Sequence, residues 1–143
     1  MQYDAQGIAD IMGGRSVLGR DVRSLGDLSA QVERGLPKEA LRAVARAIFS
    51  EPKRQMKLIY TVIPEATYKR RRDRLTTEES ERTERLARVA AIAREAWGDD
   101  AQEFLTTAHP LLRGRSPIEA AATDLGARQV EEILASIRYG LPV

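Results

Sequence analysis

With 143 residues, 43% of them hydrophobic and 31% charged, the chain can bury a core as one compact unit or two small lobes, unlike an ordinary disordered tail. It has no Cys, which excludes disulfides and thiol chemistry and makes a cytoplasmic setting the default; no apolar run is long enough to span a membrane, and residues 1–14 lack the basic-then-apolar pattern of a secretory signal. The net charge is only +2, but residues 96–143 carry four Arg against seven carboxylates, a net −3 that leaves residues 1–95 at +5 and suggests two surfaces for different partners.

Aromatic residues make up only 5%, while Ala, Leu, Arg and Glu dominate, side chains that lose little rotamer freedom in a helix. Ile8, Ile11 and Met12 mark a short amphipathic start that ends at Gly13-Gly14, and residues 15–23 read as polar and irregular, so 1–23 is expected to be an N-terminal arm. Ser24 can cap a helix carrying Leu25, Leu28 and Val32 that stops at Gly35. Pro37 suits a first helical turn, and Leu41, Val44, Ala45 and Ile48 follow at the spacing of one buried face. Met56, Ile59, Tyr60 and Ile63 repeat that spacing after Ser50, and Pro64 opens a short helix expected to end near Leu75, with Tyr68 turned toward the preceding helix. Thr76 and Glu79 form a capping-box pair ahead of a long helix bearing Leu86, Val89, Ala90, Ala93 and Trp97, closed by Gly98. A short helix with Phe104 and Leu105 breaks at His109-Pro110, Ser116-Pro117-Ile118-Glu119 is a second capping box, and Thr123 or Asp124 starts a last helix that ends at Gly140. Val130, Ile133, Leu134 and Ile137 are its inward face; with Leu86, Val89, Ala93 and Trp97 they form the expected core. No segment alternates in polarity, so the class is all-α: a helix-turn-helix-like region over 24–95 merged with a small C-terminal helical domain over 96–143.

No enzyme can be assembled from these residues. The only His, His109, precedes a Pro in a loop; the acidic pairs Glu78-Glu79, Asp99-Asp100 and Glu131-Glu132 are chain neighbours that do not face each other on a helix. Metal-ligand spacing is absent, no cofactor is implied, and Arg113-Gly114-Arg115-Ser116 lacks the Lys of a phosphate loop. The run Lys69-Arg70-Arg71-Arg72-Asp73-Arg74 fits either a solvated charged face or the second helix of a helix-turn-helix, which enters a major groove. Against the latter, the turn has Val62 where Gly is usual, and Met56 and Ile59 are out of step with the usual apolar positions. In the groove-reading case Glu65, Ala66, Lys69, Arg70, Arg71 and Arg72 are the candidate DNA contacts.

From Ala96-Trp97-Gly98 through His109-Pro110-Leu111-Leu112-Arg113-Gly114-Arg115-Ser116-Pro117-Ile118-Glu119, with Thr123, Gly126, Ala127, Val130, Leu134 and Ile137 and a close on Arg138-Tyr139-Gly140, the chain resembles the Xre/MbcA/ParS family of antitoxins, and within it the ParS branch most closely. His109 stands where the family commonly has Asn. Ile63-Pro64, Thr67, Arg70-Arg71-Arg72 and the stretch from Leu75 to Ser80 also resemble the family's helix-turn-helix region, so the likeness spans about residues 36–143. The resemblance implies a cognate RES-domain toxin that consumes NAD or uses it to ADP-ribosylate a target, bound and occluded by the antitoxin's C-terminal region, with operator DNA as a second partner. The toxin contacts it implies are Leu111, Leu112, Arg113, Gly114, Arg115, Ser116, Arg138, Tyr139, Gly140, Leu141, Pro142 and Val143. For Arg113 and Arg115, solvent exposure or capping of the preceding helix is nearly as good a reading for either alone, and the tail of an arbitrary protein would fray; with the resemblance, docking is the reading preferred. Repressors of this type bind paired half-sites as two-fold dimers, so a homodimer is expected, with the helix 77–97 offering it a face. A stand-alone DNA-binding transcriptional regulator is the alternative.

Overall fold

The computed structural model describes residues 4–138 and 140, the Arg138 side chain excepted. Within that span there are ten α-helices and no strands: α1 Ala5–Ile11, α2 Gly14–Leu18, α3 Leu25–Arg34, α4 Lys38–Ile48, α5 Pro52–Val62, α6 Glu65–Arg70, α7 Thr77–Trp97, α8 Ala101–Thr106, α9 Pro117–Ala120 and α10 Asp124–Arg138. Short 3-10 turns at Gly98–Asp100 and Pro110–Leu112 precede α8 and α9.

α7 is the axis. Its 21 residues make a rod of about 30 Å, and α1, α3, α4, α5, α8 and α10 all pack on it. It starts where Thr76 Oγ1 accepts the Glu79 N–H at 3.1 Å and Glu79 Oε1 accepts the Thr76 N–H at 2.9 Å, the expected reciprocal cap. Ser80, wholly buried in the next turn, accepts the Leu36 N–H at 2.9 Å and so ties α7 to the α3–α4 link. The buried stripe runs along the helix through Leu86, Val89, Ala90 and Ala93 and meets Ala127, Val130, Ile133 and Leu134 of α10 in one core, with Ile137 partly covered.

The structure departs from two expectations. The N-terminal segment is not an irregular arm: Gly13 and Gly14, both at positive φ, turn the chain into α2, which buries Leu18, and Val22 is buried beyond it. The apolar content of 15–23 is too sparse to show a period, but these two side chains suffice to seat the segment. Trp97 is 39% exposed rather than in the core, because the helix ends on it and Gly98 turns the chain away. Leu25, at the first turn of α3, faces solvent.

The C-terminal helices depend on one glycine. A Cβ on Gly126 would sit 1.8 Å from the Ala120 carbonyl oxygen, so only glycine lets the first turn of α10 lie against the end of α9. Three charges at the α7–α10 interface complete the packing: Arg88 lies 3.0 Å from Glu84 and 3.1 Å from Glu131, all three largely buried. Among the described residues no helix is long and apolar enough to cross a membrane.

Candidate functional site

Two surfaces collect the candidate residues. The first is α5, the Ile63-Pro64 turn and α6. The turn needs no glycine because Ile63 is extended at φ −142°, which removes the objection raised by Val62; both Val62 and Ile63 are buried and Pro64 opens α6. Ile59 and Val62 face the core while Met56 is partly covered, so the first helix packs normally despite the offset in its pattern. Tyr68 is buried and meets Tyr60 of α5 edge to face, with ring centroids 6.1 Å apart. That contact fixes the roll of α6, leaving Glu65, Ala66, Lys69 and Arg70 on its exposed side. Lys69 and Glu65 are 3.6 Å apart in solvent, a pair that holds little energy.

The basic run divides after Arg70. The sequence pattern carries α6 on to near Leu75, but the helix stops at Arg70, and Arg71 turns inward. Its guanidinium makes two hydrogen bonds to the Glu79 carboxylate, at 2.6 and 3.2 Å, with both side chains under one-fifth exposed. Burial on its own would raise the Glu79 carboxyl; the bonds from Arg71 and Thr76 outweigh it and hold the group below its ordinary range. Arg74 donates to the Gly35 carbonyl at 2.9 Å, and Lys38 Nζ stands 4.1 Å from the Tyr68 ring centroid. Arg71 is thus a brace between α6 and α7 rather than an outward contact, whereas Arg72 is exposed. An open groove of about 880 Å³ runs beside it between Arg34, Lys38, Arg72 and Arg74.

The second surface is the loop between α8 and α9. His109 Nδ1 accepts the Leu111 N–H at 3.1 Å, and the His109 carbonyl accepts the N–H groups of Leu112 and Gly114 at 3.0 and 3.3 Å. His109 N–H donates in turn to the Arg115 carbonyl at 3.0 Å, closing the loop on itself. Inside, Leu112 is wholly buried and Ser116 caps α9 through the expected box with Glu119, bonds of 3.2 and 2.9 Å. These bonds hold the Glu119 carboxyl below its ordinary range, the backbone bond from Ser116 foremost. Leu112 and Ser116 are thus buried within the loop and shape it from inside.

What the loop does present is Leu111, 53% exposed, beside Arg113. Arg113 (φ 59°) is the one described non-glycine residue at positive φ, and Gly114 follows at φ 78°. A left-handed Arg costs about 1–2 kcal/mol. Arg115 Nε donates to the Leu112 carbonyl at 3.0 Å, so this Arg bonds back to the loop's own backbone. Gly140 is exposed at φ 68°; Tyr139, Leu141, Pro142 and Val143, like the Arg138 side chain, lie outside the described residues. No described cluster of His, Asp or Glu could hold a metal ion. Sequence reading misses the stack of Trp97 on Phe104 (centroids 5.7 Å apart), because the helical period assigns Trp97 to the core.

Comparison with known families finds two matches along the chain. Residues 27–88 match the antitoxin Xre-like helix-turn-helix domain, and residues 93–140 match the antitoxin Xre/MbcA/ParS C-terminal toxin-binding domain. Among curated proteins, none matches the chain.

Proposed function

The chain belongs to the Xre/MbcA/ParS family of antitoxins, and from that premise we propose that it is of the ParS type and silences a RES-domain toxin by covering its active site. The toxin would be an enzyme that consumes NAD or transfers its ADP-ribose. Loop 111–117 and residues 138–143 do the covering, and the complex, built on a homodimer, represses its own operon through α6 in the cytoplasm.

The observation that carries this reading is the Arg113 turn. A residue held at positive φ on an exposed loop, braced from below by Leu112 and Ser116, is a preformed contact point whose ordering has already been met in folding. A guanidinium there can fork onto a carboxylate of a partner, and Leu111 supplies apolar area next to it. For the tail, the support is its composition: Tyr139 is an aromatic anchor with few rotors, Leu141 an apolar plug, and Pro142 limits the entropy lost on docking.

The test is growth of cells expressing the toxin together with each variant, beside the variant's melting temperature and the rate of NAD loss in purified mixtures. Arg113→Ala, Tyr139→Ala and deletion of residues 141–143 should fold normally, and each should weaken toxin binding by about tenfold or more, the effect of losing one anchor. Full protection by all three folded variants would overturn occlusion by loop and tail; NAD loss unaffected by wild-type protein that binds the toxin would overturn the RES assignment.

A further inference from the structure

The exposed end of α7 forms a second feature on the toxin-binding domain. Trp97, the only Trp in the chain, lies over Phe104 with centroids 5.7 Å apart and planes 27° apart, and Phe104 in turn meets His109 edge to face at 6.3 Å. These three rings line an open cleft of about 370 Å³ whose rim carries the exposed carboxylates Asp100 and Glu103. Both lie on the short stretch that follows Gly98, itself at φ 58°.

We propose that this cleft receives an arginine side chain of the toxin, its guanidinium stacked on Trp97 and forked onto Asp100 or Glu103. The inference rests on the toxin-binding reading of this domain and adds the chemistry of the surface it meets. Flat π faces attract a cation, most of all a planar one that stacks, and carboxylates beside them offer it charge-assisted hydrogen bonds. An apolar helix seated there would strip water from two carboxylates and give nothing back. A phosphate backbone would be repelled, because residues 96–143 carry a net −3. The cation–π pairs found among the described residues, Lys38 on Tyr68 and Arg54 on Phe49, do not involve Trp97. The indole is 39% exposed at the helix end, so part of its surface is open to a planar cation.

The test uses the full chain and the toxin encoded in the same operon. Complex formation is followed by calorimetry and by Trp97 emission, with wild type, Trp97→Ala and the double variant Asp100→Asn/Glu103→Gln, all checked for an unchanged melting temperature. Binding should shift Trp97 emission, and the double variant should lose about tenfold in affinity, with a weaker salt dependence. Treating the toxin with phenylglyoxal, which blocks Arg, should abolish the difference between wild type and double variant; acetylating its Lys residues should not. Binding with unchanged Trp97 emission, or full affinity in the double variant, overturns the cleft proposal alone, as does sensitivity to Lys acetylation instead. Trp97 emission that depends on protein concentration without toxin would give the cleft to a second copy of this chain and overturn it too. A wild-type protein that does not bind the toxin at all would instead remove the reading on which the inference rests.

Discussion

Glu79 and Glu84 sit five positions apart on α7 and answer acid in opposite directions. Glu79 is held below its ordinary range, because the bonds from Arg71 and Thr76 outweigh its burial, so the stability it contributes is present above the ordinary carboxyl value and is lost as pH falls through the folded one. Glu84 is raised, first by burial and then by Glu131 across the interface, with Arg88 only partly offsetting them. Its contribution has the other sign: it is fully present below the ordinary carboxyl value and is lost as pH rises through the folded one. The loss of melting temperature between pH 7 and pH 4 should therefore be smaller in Glu79→Gln than in wild type and larger in Glu84→Gln. Thermal unfolding across that range checks the pair, and a change of the same sign in both variants would contradict it. The capping role of Glu79 is legible because Thr76 stands three residues before it, a local signal. Its grip on Arg71 is not, since that depends on where α6 ends in space.

Among the helices, those with strong punctuation are readable and those without it are not. α3, α7 and α9 begin on Ser24, Thr76 and Ser116, each of which accepts the N–H of the third residue on, and α7 stops at Gly98 as expected. α2 escapes because Val17, Leu18 and Val22 are too few to set a period, and the pattern overextends α6 because a run of Arg looks helical whichever way its members turn. Lys69 and Arg70 lie on the exposed side of α6, whereas Arg71 braces α7. In mobility shifts on the operon's own promoter, Lys69→Ala with Arg70→Ala should weaken binding and flatten its dependence on salt by roughly one unit of slope for each phosphate no longer neutralised, leaving stability and toxin control intact. Arg71→Ala should instead lower the melting temperature, since it leaves the largely buried Glu79 without its cation. An Arg71→Ala protein as stable as wild type, with a reduced salt slope, would return Arg71 to the DNA surface.

At the scale of the molecule, the two family matches meet inside a single helix, since residues 27–88 and 93–140 divide within the last turns of α7, Thr77–Trp97. A boundary in sequence is thus not a boundary in packing. α10 rests on α7 turns that belong to the first match, with Arg88 held 3.1 Å from Glu131 and Arg85 donating to the Ala122 carbonyl at 3.1 Å. α8 is tied to the first match as well: Gln102 donates to the Ala47 carbonyl at 3.2 Å and accepts from the Ser50 hydroxyl at 3.3 Å. One core shared this way should melt as one. In urea, emission from Trp97, which reports the C-terminal helices, and far-UV circular dichroism, which reports the whole chain, should trace a single coincident transition. Leu134→Ala removes a wholly buried side chain from α10 and should cost about 2–5 kcal/mol. Because that loss belongs to the common core, it should move both signals together, including the helices of residues 27–88, which are distant from Leu134 along the chain. If Leu134→Ala shifted the Trp97 transition and left most of the dichroism change where it was, the two matched regions would be independently folding units.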